Sequence, residues 1–296
     1  MTNRNTLPGL QKVIDRLKRE WHQKTAKLNP QTIFLLGHPK AGTTVIAALL
    51  SQISGKTVIM DPIFRINKSV FLRQKLHANR LKFERFIKTH QYCFAADLVK
   101  DPYLIFFCDE LLKHFPEAKF VFINRDPRDQ IRSILNRLEI PGNLRELELN
   151  YREKLPKLPK GSDWPQIIEG LLPPISGNNY IERLAHRWNL AVDIYQANRD
   201  CLIYIRYEDF LLNKVDFIKE LAKKIQLEPT HNISNRVDFQ YQPRGDRHIT
   251  WIDFFGEDNL FKIESICKER MKLFDYQSSH SPKNSINSSK SELLNG

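Results

Sequence analysis

"TIFLLGHPKAGTTVIAALLSQI", residues 32–53, decides how this chain is read. An apolar, β-prone run, Thr32 to Leu36, ends at Gly37; a turn closed by Gly42 follows, and Thr43 and Thr44 open a helical run. A strand, a glycine-bounded turn and a helix in that order aim backbone N–H groups and the positive end of the helix dipole at an anion. A nucleotide-binding P-loop reads GxxxxGK[ST]. Here Thr43 stands in the place of that lysine, and the lysine is Lys40, inside the turn that Pro39 stiffens. An NTPase is poorly served by this arrangement, because its lysine must sit at the helix start to reach the terminal phosphates. On this segment alone, a purely structural turn remains an alternative.

Outward from the loop, β-rich runs alternate with helical patterns: "TIFLLG" (32–37), "TVIM" (57–60), "RFIKT" (85–89), "KFVFIN" (119–124) and "CLIYIRY" (201–207). This rhythm predicts an α/β fold, a P-loop-like central parallel sheet of five strands with helices on both faces. Ligands of such sheets bind at the carboxyl ends of the strands. One domain is expected over 31–276. Within residues 1–30, Leu10, Val13, Ile14, Leu17 and Trp21 share a face of a basic amphipathic helix, suited to docking on the domain or to peripheral membrane contact. Six prolines punctuate 137–180, at 141, 156, 159, 165, 173 and 174, and mark an irregular insertion, the candidate substrate lid. Its Leu147, Leu149, Leu155, Leu158, Trp164, Ile167 and Ile168 suit an apolar lid and local core packing equally. The Ser/Asn-rich stretch 277–296 is expected to be disordered.

The 296 residues are 41% hydrophobic and 27% charged, with a net charge of +12, which fits nucleic acid, an anionic membrane surface or a small polyanionic ligand. No zinc-finger spacing and no RNP-like run supports a nucleic-acid module. Cys93, Cys108, Cys201 and Cys267 form no CxxC pair, so reduced thiols are expected and no metal site is read. No stretch has the length and apolarity of a membrane span or a signal-peptide core, which places the expected location in the cytoplasm.

Two further segments carry chemistry. In "FVFINRDPRDQIRSIL" (120–135), Arg125 ends a strand, Asp126 caps the next helix, Pro127 suits its first turn and Asp129 adds an acid there. Ser133 lies two turns on, on the side of Arg125, where the pair can clamp a phosphate. In "RFIKTHQ" (85–91), read as a strand entering a loop, His90 takes the position of a general base.

Together these segments resemble the nucleotide-dependent sulfotransferases, which use 3′-phosphoadenosine 5′-phosphosulfate as sulfuryl donor. "PKAGTT" (39–44) matches their PKxGTT loop; Arg125, Pro127, Asp129 and Ser133 match RxPxDxxxS; Lys88, Thr89 and His90 match the KTH of many members; and "IRYEDFLLN" (205–213) is similar to the RYEDL of bacterial ones. In "PRGDRHITW" (243–251), Arg244 and Gly245 correspond most nearly to the 3′-phosphate contact, with Arg247 sharing the role. Val45 replaces the tryptophan that often follows GTT, so adenine stacking must come from elsewhere. "MDPIF" (60–64) is similar to an acid-plus-proline segment of carbohydrate-type members, which makes Asp61 a rival to His90 as base or a substrate contact.

The resemblance implies a transferase that needs no metal. Lys40, Ala41, Gly42, Thr43 and Thr44 hold the 5′-phosphosulfate, Arg125, Ser133, Arg244 and Gly245 hold the 3′-phosphate, His90 takes the acceptor proton, and Lys88 assists at the sulfonate. Lys40 near the bridging oxygen stabilises charge that develops in the transition state. The implied partner is a small-molecule, lipid or carbohydrate acceptor and not nucleic acid. Rival readings are a nucleoside or small-molecule kinase with an atypical P-loop and a non-catalytic nucleotide-binding protein.

Overall fold

A computed structural model describes residues 25–63, 72–147, 163–241 and 249–279. Five strands, β1 (Ile33–Gly37), β2 (Val58–Met60), β3 (Leu98–Lys100), β4 (Lys119–Asn124) and β5 (Leu202–Arg206), form one sheet in the order β2-β3-β1-β4-β5. Every pairing is parallel. Parallel neighbours need crossover connections, and these cover both faces of the sheet. Side chains alternate accordingly: Phe34, Leu36, Phe120 and Phe122 enter one core, and Ile33, Leu35, Val121 and Ile123 enter the other. Burial on both faces is why β1 and β4 read as unbroken apolar runs.

In chain order the helices are α1 (Thr43–Ser54), α2 (Leu72–His77), α3 (Phe83–Thr89), α4 (Cys108–His114), α5 (Pro127–Leu138), α6 (Trp164–Ile168), α7 (Tyr180–Ala197), α8 (Tyr207–Leu212), α9 (Lys214–Lys224) and α10 (Trp251–Lys272). Short 3₁₀ turns span Gln91–Phe94 and Pro102–Phe107. Helices α1 and α9 cover one face through Ile46, Leu50, Ile218 and Leu221. Helices α5, α7 and α10 cover the other through Ile131, Leu135, Trp188, Val192 and Ile263.

The expected strand at 85–89 is a helix. Phe83, Phe86 and Ile87 recur at helical spacing and form a buried face, while Glu84 and Lys88 pair across one turn at 2.7 Å. The place in the sheet belongs instead to Leu98–Lys100, a run too short to stand out beside "RFIKT". The other four strands lie where their apolar runs put them.

Within the insertion, Ile140, Ile167, Ile168 and Leu172 join the core, and Trp164 packs against its edge. Leu149, Leu155 and Leu158 lie outside the described residues, as do the amphipathic stretch 8–27 and residues 280–296. Ser278 and Ser279 bond to Glu264, so the folded part extends past the boundary expected at 276. Cys93, Cys108 and Cys267 are buried free thiols, and Cys201 is exposed. No helix among the described residues is long and apolar enough to cross a membrane.

Candidate active site

The loop after β1 is built on two glycines that no other residue can replace cheaply. Gly37 has φ 142°, and a Cβ there would lie 2.2 Å from the Ile123 carbonyl oxygen of β4. Gly42, the N-cap of α1, has φ 87°, and its Cβ would lie 2.1 Å from the Tyr207 ring. Between them Lys40 also takes a left-handed conformation, φ 69°. The loop is held from the neighbouring strand's end: Arg125 Nη1 donates to the Lys40 carbonyl and Gln130 Nε2 to the Pro39 carbonyl, both at 2.9 Å. Ala41 is buried in the core beneath the loop, its N–H on the His38 carbonyl.

Helix α5 starts as its sequence predicts. The Asp126 carboxylate accepts the Arg128 N–H at 2.9 Å, with Pro127 in the first turn. The buried Arg128 guanidinium bridges Asp126 and Glu264 at 2.7 and 2.6 Å and lies 3.7 Å over the Trp251 ring. Glu208 accepts the Asp126 N–H and the Tyr276 hydroxyl, each at 3.0 Å. Asp129 accepts from Arg132 at 2.6 Å and from the Trp251 indole at 2.9 Å. This frame fixes the base of α5, and with it Arg125 and Ser133.

A cleft of about 410 Å³ opens along the carboxyl ends of the strands. Lys40, Gly42, Thr43, Thr44, Arg125 and Ser133 all line it, so the first two motifs meet there. On the β4–β5 side Tyr207 joins Phe239 and Tyr241, which bring aromatic rings to the cleft that Val45 also lines. On the β2–β3 side stand Asp61, Arg73, Lys100, Asp101 and Tyr103, with Trp164 and Ile167 of the insertion. Among the described residues the lining holds seven basic side chains (Lys40, Arg73, Lys100, Arg125, Arg132, Arg137, Lys214) against four acidic ones (Asp61, Asp101, Asp129, Asp163). Burial and the charges of Arg137, Arg125 and Lys100 depress the Lys40 pKa to about 8. A binding anion relieves that repulsion, so the cleft is suited to a ligand with several negative charges.

Asp61, at the end of β2, has φ 50° and receives Lys100 Nζ on its two carboxylate oxygens at 2.9 and 3.0 Å. Lys100 ends β3, next to the loop strand β1. Neither Lys100 nor Arg137 belongs to any of the sequence motifs. The available signal for Lys100 was "LVKDP", a β-run that stops at a charged turn.

His90 and Lys88 are not brought into the cleft. His90 caps the C-terminus of α3, its N–H on the Phe86 and Ile87 carbonyls, and its half-buried ring packs 5.3 Å from Phe86 and 5.9 Å from Tyr92. Burial lowers its pKa. Lys88 is exposed on the same helix, bonded to Glu84. The strand-end position expected for them fails because the segment is helical. Arg244, Gly245 and Arg247 lie outside the described residues, between Tyr241 in the cleft and Ile249, whose carbonyl accepts from Arg132 at 2.7 Å.

Comparison with known proteins places the chain in a family. The family model for the sulfotransferase domain matches residues 32–198, more than half of the chain. Cytosolic sulfotransferase 17 of Arabidopsis thaliana is 23% identical over 209 residues, 68% of this chain; the chain spans about half of that relative's length, 53%. Among solved structures, sulfotransferase STF9 from Mycobacterium avium has the same fold, with a TM-score of 0.53 and 14% identity over 90% of this chain and 82% of that one. The mouse sulfotransferase SULT7A1, complexed with PAP, aligns with a TM-score of 0.46 and 14% identity over 86% of this chain and 89% of that one. With the domain matched from the first strand to the end of α7, the chain belongs to the sulfotransferase domain family.

Proposed function

We propose that this protein moves the sulfonate of 3′-phosphoadenosine 5′-phosphosulfate to a hydroxyl or amine of a small acceptor, with Asp61 as the proton acceptor. The observation that carries the reading is that Lys40 and the Lys100–Asp61 pair open into one cleft, from adjacent strand ends. The excess of cations in that cleft fits a donor with several negative charges.

Asp61 takes the proton of the acceptor O–H as the oxygen attacks sulfur. The bond between sulfur and the bridging oxygen breaks, and its electron pair stays on the 5′-phosphate. Lys40, with the start of α1, stabilises the charge that collects there, which is the larger part of what such a site supplies. Lys100 loses its anionic partner when Asp61 becomes protonated and is then free to follow the sulfonate oxygens. Arg125 and Ser133 hold the 3′-phosphate, with Arg244 and Gly245 added by family resemblance. Tyr207, Phe239 and Tyr241 offer the ring surface for adenine that Val45 lacks. His90 and Lys88 have no part in this reading, since one packs against Phe86 and the other is bonded to Glu84.

The test is transfer from ³⁵S-labelled donor to a panel of phenols, aliphatic alcohols, sugars and amines, together with calorimetric binding of adenosine 3′,5′-bisphosphate. Wild-type protein should bind the bisphosphate and label at least one acceptor class. Binding no tighter than that of AMP, or full activity in Lys40→Ala, would sink the reading.

A further inference from the structure

Asp101 is the first residue after β3 and is fully buried. Its Oδ1 accepts the Tyr103 N–H at 3.0 Å and so caps the 3₁₀ turn Pro102–Phe107. Its Oδ2 accepts the Ile63 N–H at 3.3 Å, from the segment that follows β2. One carboxylate therefore joins the loops at the ends of two adjacent strands. The nearest cation is Arg73, with Nη2 3.9 Å from Oδ1; Arg73 also bonds Asp163 at 2.5 Å.

The segment that Asp101 grips carries Asp61. With φ 50°, Asp61 takes a left-handed conformation that aspartate tolerates better than most residues, and hydrogen bonds on either side fix it in this turn. On one side, Lys100 supplies the hold: its carbonyl accepts the Asp61 N–H at 2.7 Å and its Nζ reaches both carboxylate oxygens. On the other side, two residues on, the hold is the Ile63 N–H on Asp101. Without that bond Asp61 is held by Lys100 alone, and the turn is unpinned on its Ile63 side.

We propose that Asp101 is a positioning residue for sulfonate transfer: it grips Ile63 and thereby keeps Asp61 in the geometry from which it takes the acceptor's proton. The inference rests on the reading of Asp61 as proton acceptor. Burial, opposed by Arg73, raises the Asp101 pKa, and the two N–H groups that it accepts favour the ionised form.

Asp101→Asn preserves size but turns an NH₂ toward one of the two N–H groups. In the full chain it should lower the melting temperature, because an N–H is left unsatisfied in the core, but keep the affinity for adenosine 3′,5′-bisphosphate within about twofold of wild type, while kcat for ³⁵S transfer to phenol or to water falls roughly 10- to 100-fold. Asp61→Asn/Asp101→Asn should be no slower than Asp61→Asn alone, since Asp101 acts through Asp61. NMR should show the ¹³C resonance of the Asp61 carboxyl and the Ile63 amide resonance both displaced. If Asp101→Asn folds poorly, an ester in place of the Ile63 amide, which keeps the buried isoleucine side chain and removes only its N–H, should lower kcat alike. An unmoved Asp61 carboxyl resonance, additive losses in the double variant, or bisphosphate affinity falling in step with kcat would overturn the proposal. Normal turnover in Asp61→Asn would instead overturn the role of Asp61, and the NMR result on Asp101 would stand separately.

Discussion

Lys40 sits in the turn and not at the helix start, and burial together with Arg137, Arg125 and Lys100 holds its pKa at about 8. The sign follows from its charge. Below pH 8 the ammonium is ready for an anion; above it, binding must first take up a proton. Affinity for adenosine 3′,5′-bisphosphate should therefore fall by up to about tenfold per pH unit above 8. Calorimetry between pH 6.5 and 9.5 checks this, and Lys40→Arg, which stays charged throughout, should flatten the curve. At Asp61 the expectation is a loss of proton transfer with donor binding kept. Asp61→Asn should lower kcat by about two to four powers of ten, whereas His90→Ala should leave kcat near wild type. Parallel steady-state assays decide between them, and a sharp loss in His90→Ala would restore the histidine to the mechanism.

Among the elements, α1 and α5 are the ones whose starts make the site. Gly42 begins α1 at φ 87° under the Tyr207 ring, so Gly42→Ala faces both a strained backbone and a clash at 2.1 Å. It should lose about 1–3 kcal/mol of stability and most of its bisphosphate affinity, measured by urea unfolding and by calorimetry. The start of α5 depends on Arg128, whose side chain is 3% exposed between Asp126 and Glu264. Arg128→Met leaves two buried carboxylates without their cation and should cost about 3–5 kcal/mol by the same unfolding measurement. The helix α3 shows how a motif can mislead at this scale. "KTH" has the look of a strand end, but Phe83, Phe86 and Ile87 repeat at helical spacing, and a seven-residue segment serves either pattern until its neighbours choose.

Over the whole molecule, the charge of +12 includes a local surplus at the cleft, seven bases to four acids among the described lining residues. Concentrated there, the charge attracts a polyanion from a distance and is screened by salt. Raising ionic strength from 50 to 300 mM should weaken bisphosphate binding by roughly three- to tenfold, and stopped-flow fluorescence should assign most of the change to the association rate. The parallel sheet is what allows this concentration of charge. Its five strands all end on the same side, so short loops far apart in sequence, at 37–43, 61, 100 and 125, deliver their side chains to one cleft.

The family, the α/β class, four of the five strands and the glycine-bounded loop after β1 were legible in the sequence by itself. Their signals are local: apolar runs of strand length, glycines that a left-handed backbone demands, and an Asp-Pro pair that starts α5. Arg125 and Ser133 both line the cleft for the same reason, since one helix and its preceding residue fix their relation. Only the tertiary structure decided which third strand lies beside β1, and with it which residues face Lys40 across the cleft. Strand β3 has three residues and no periodicity of its own; hydrogen bonds to β1 and β2 make it a strand. Lys100 and Asp101 gain their place from that pairing, and Asp61 its partner, because a contact between strand ends 39 residues apart is a property of the sheet and not of either segment.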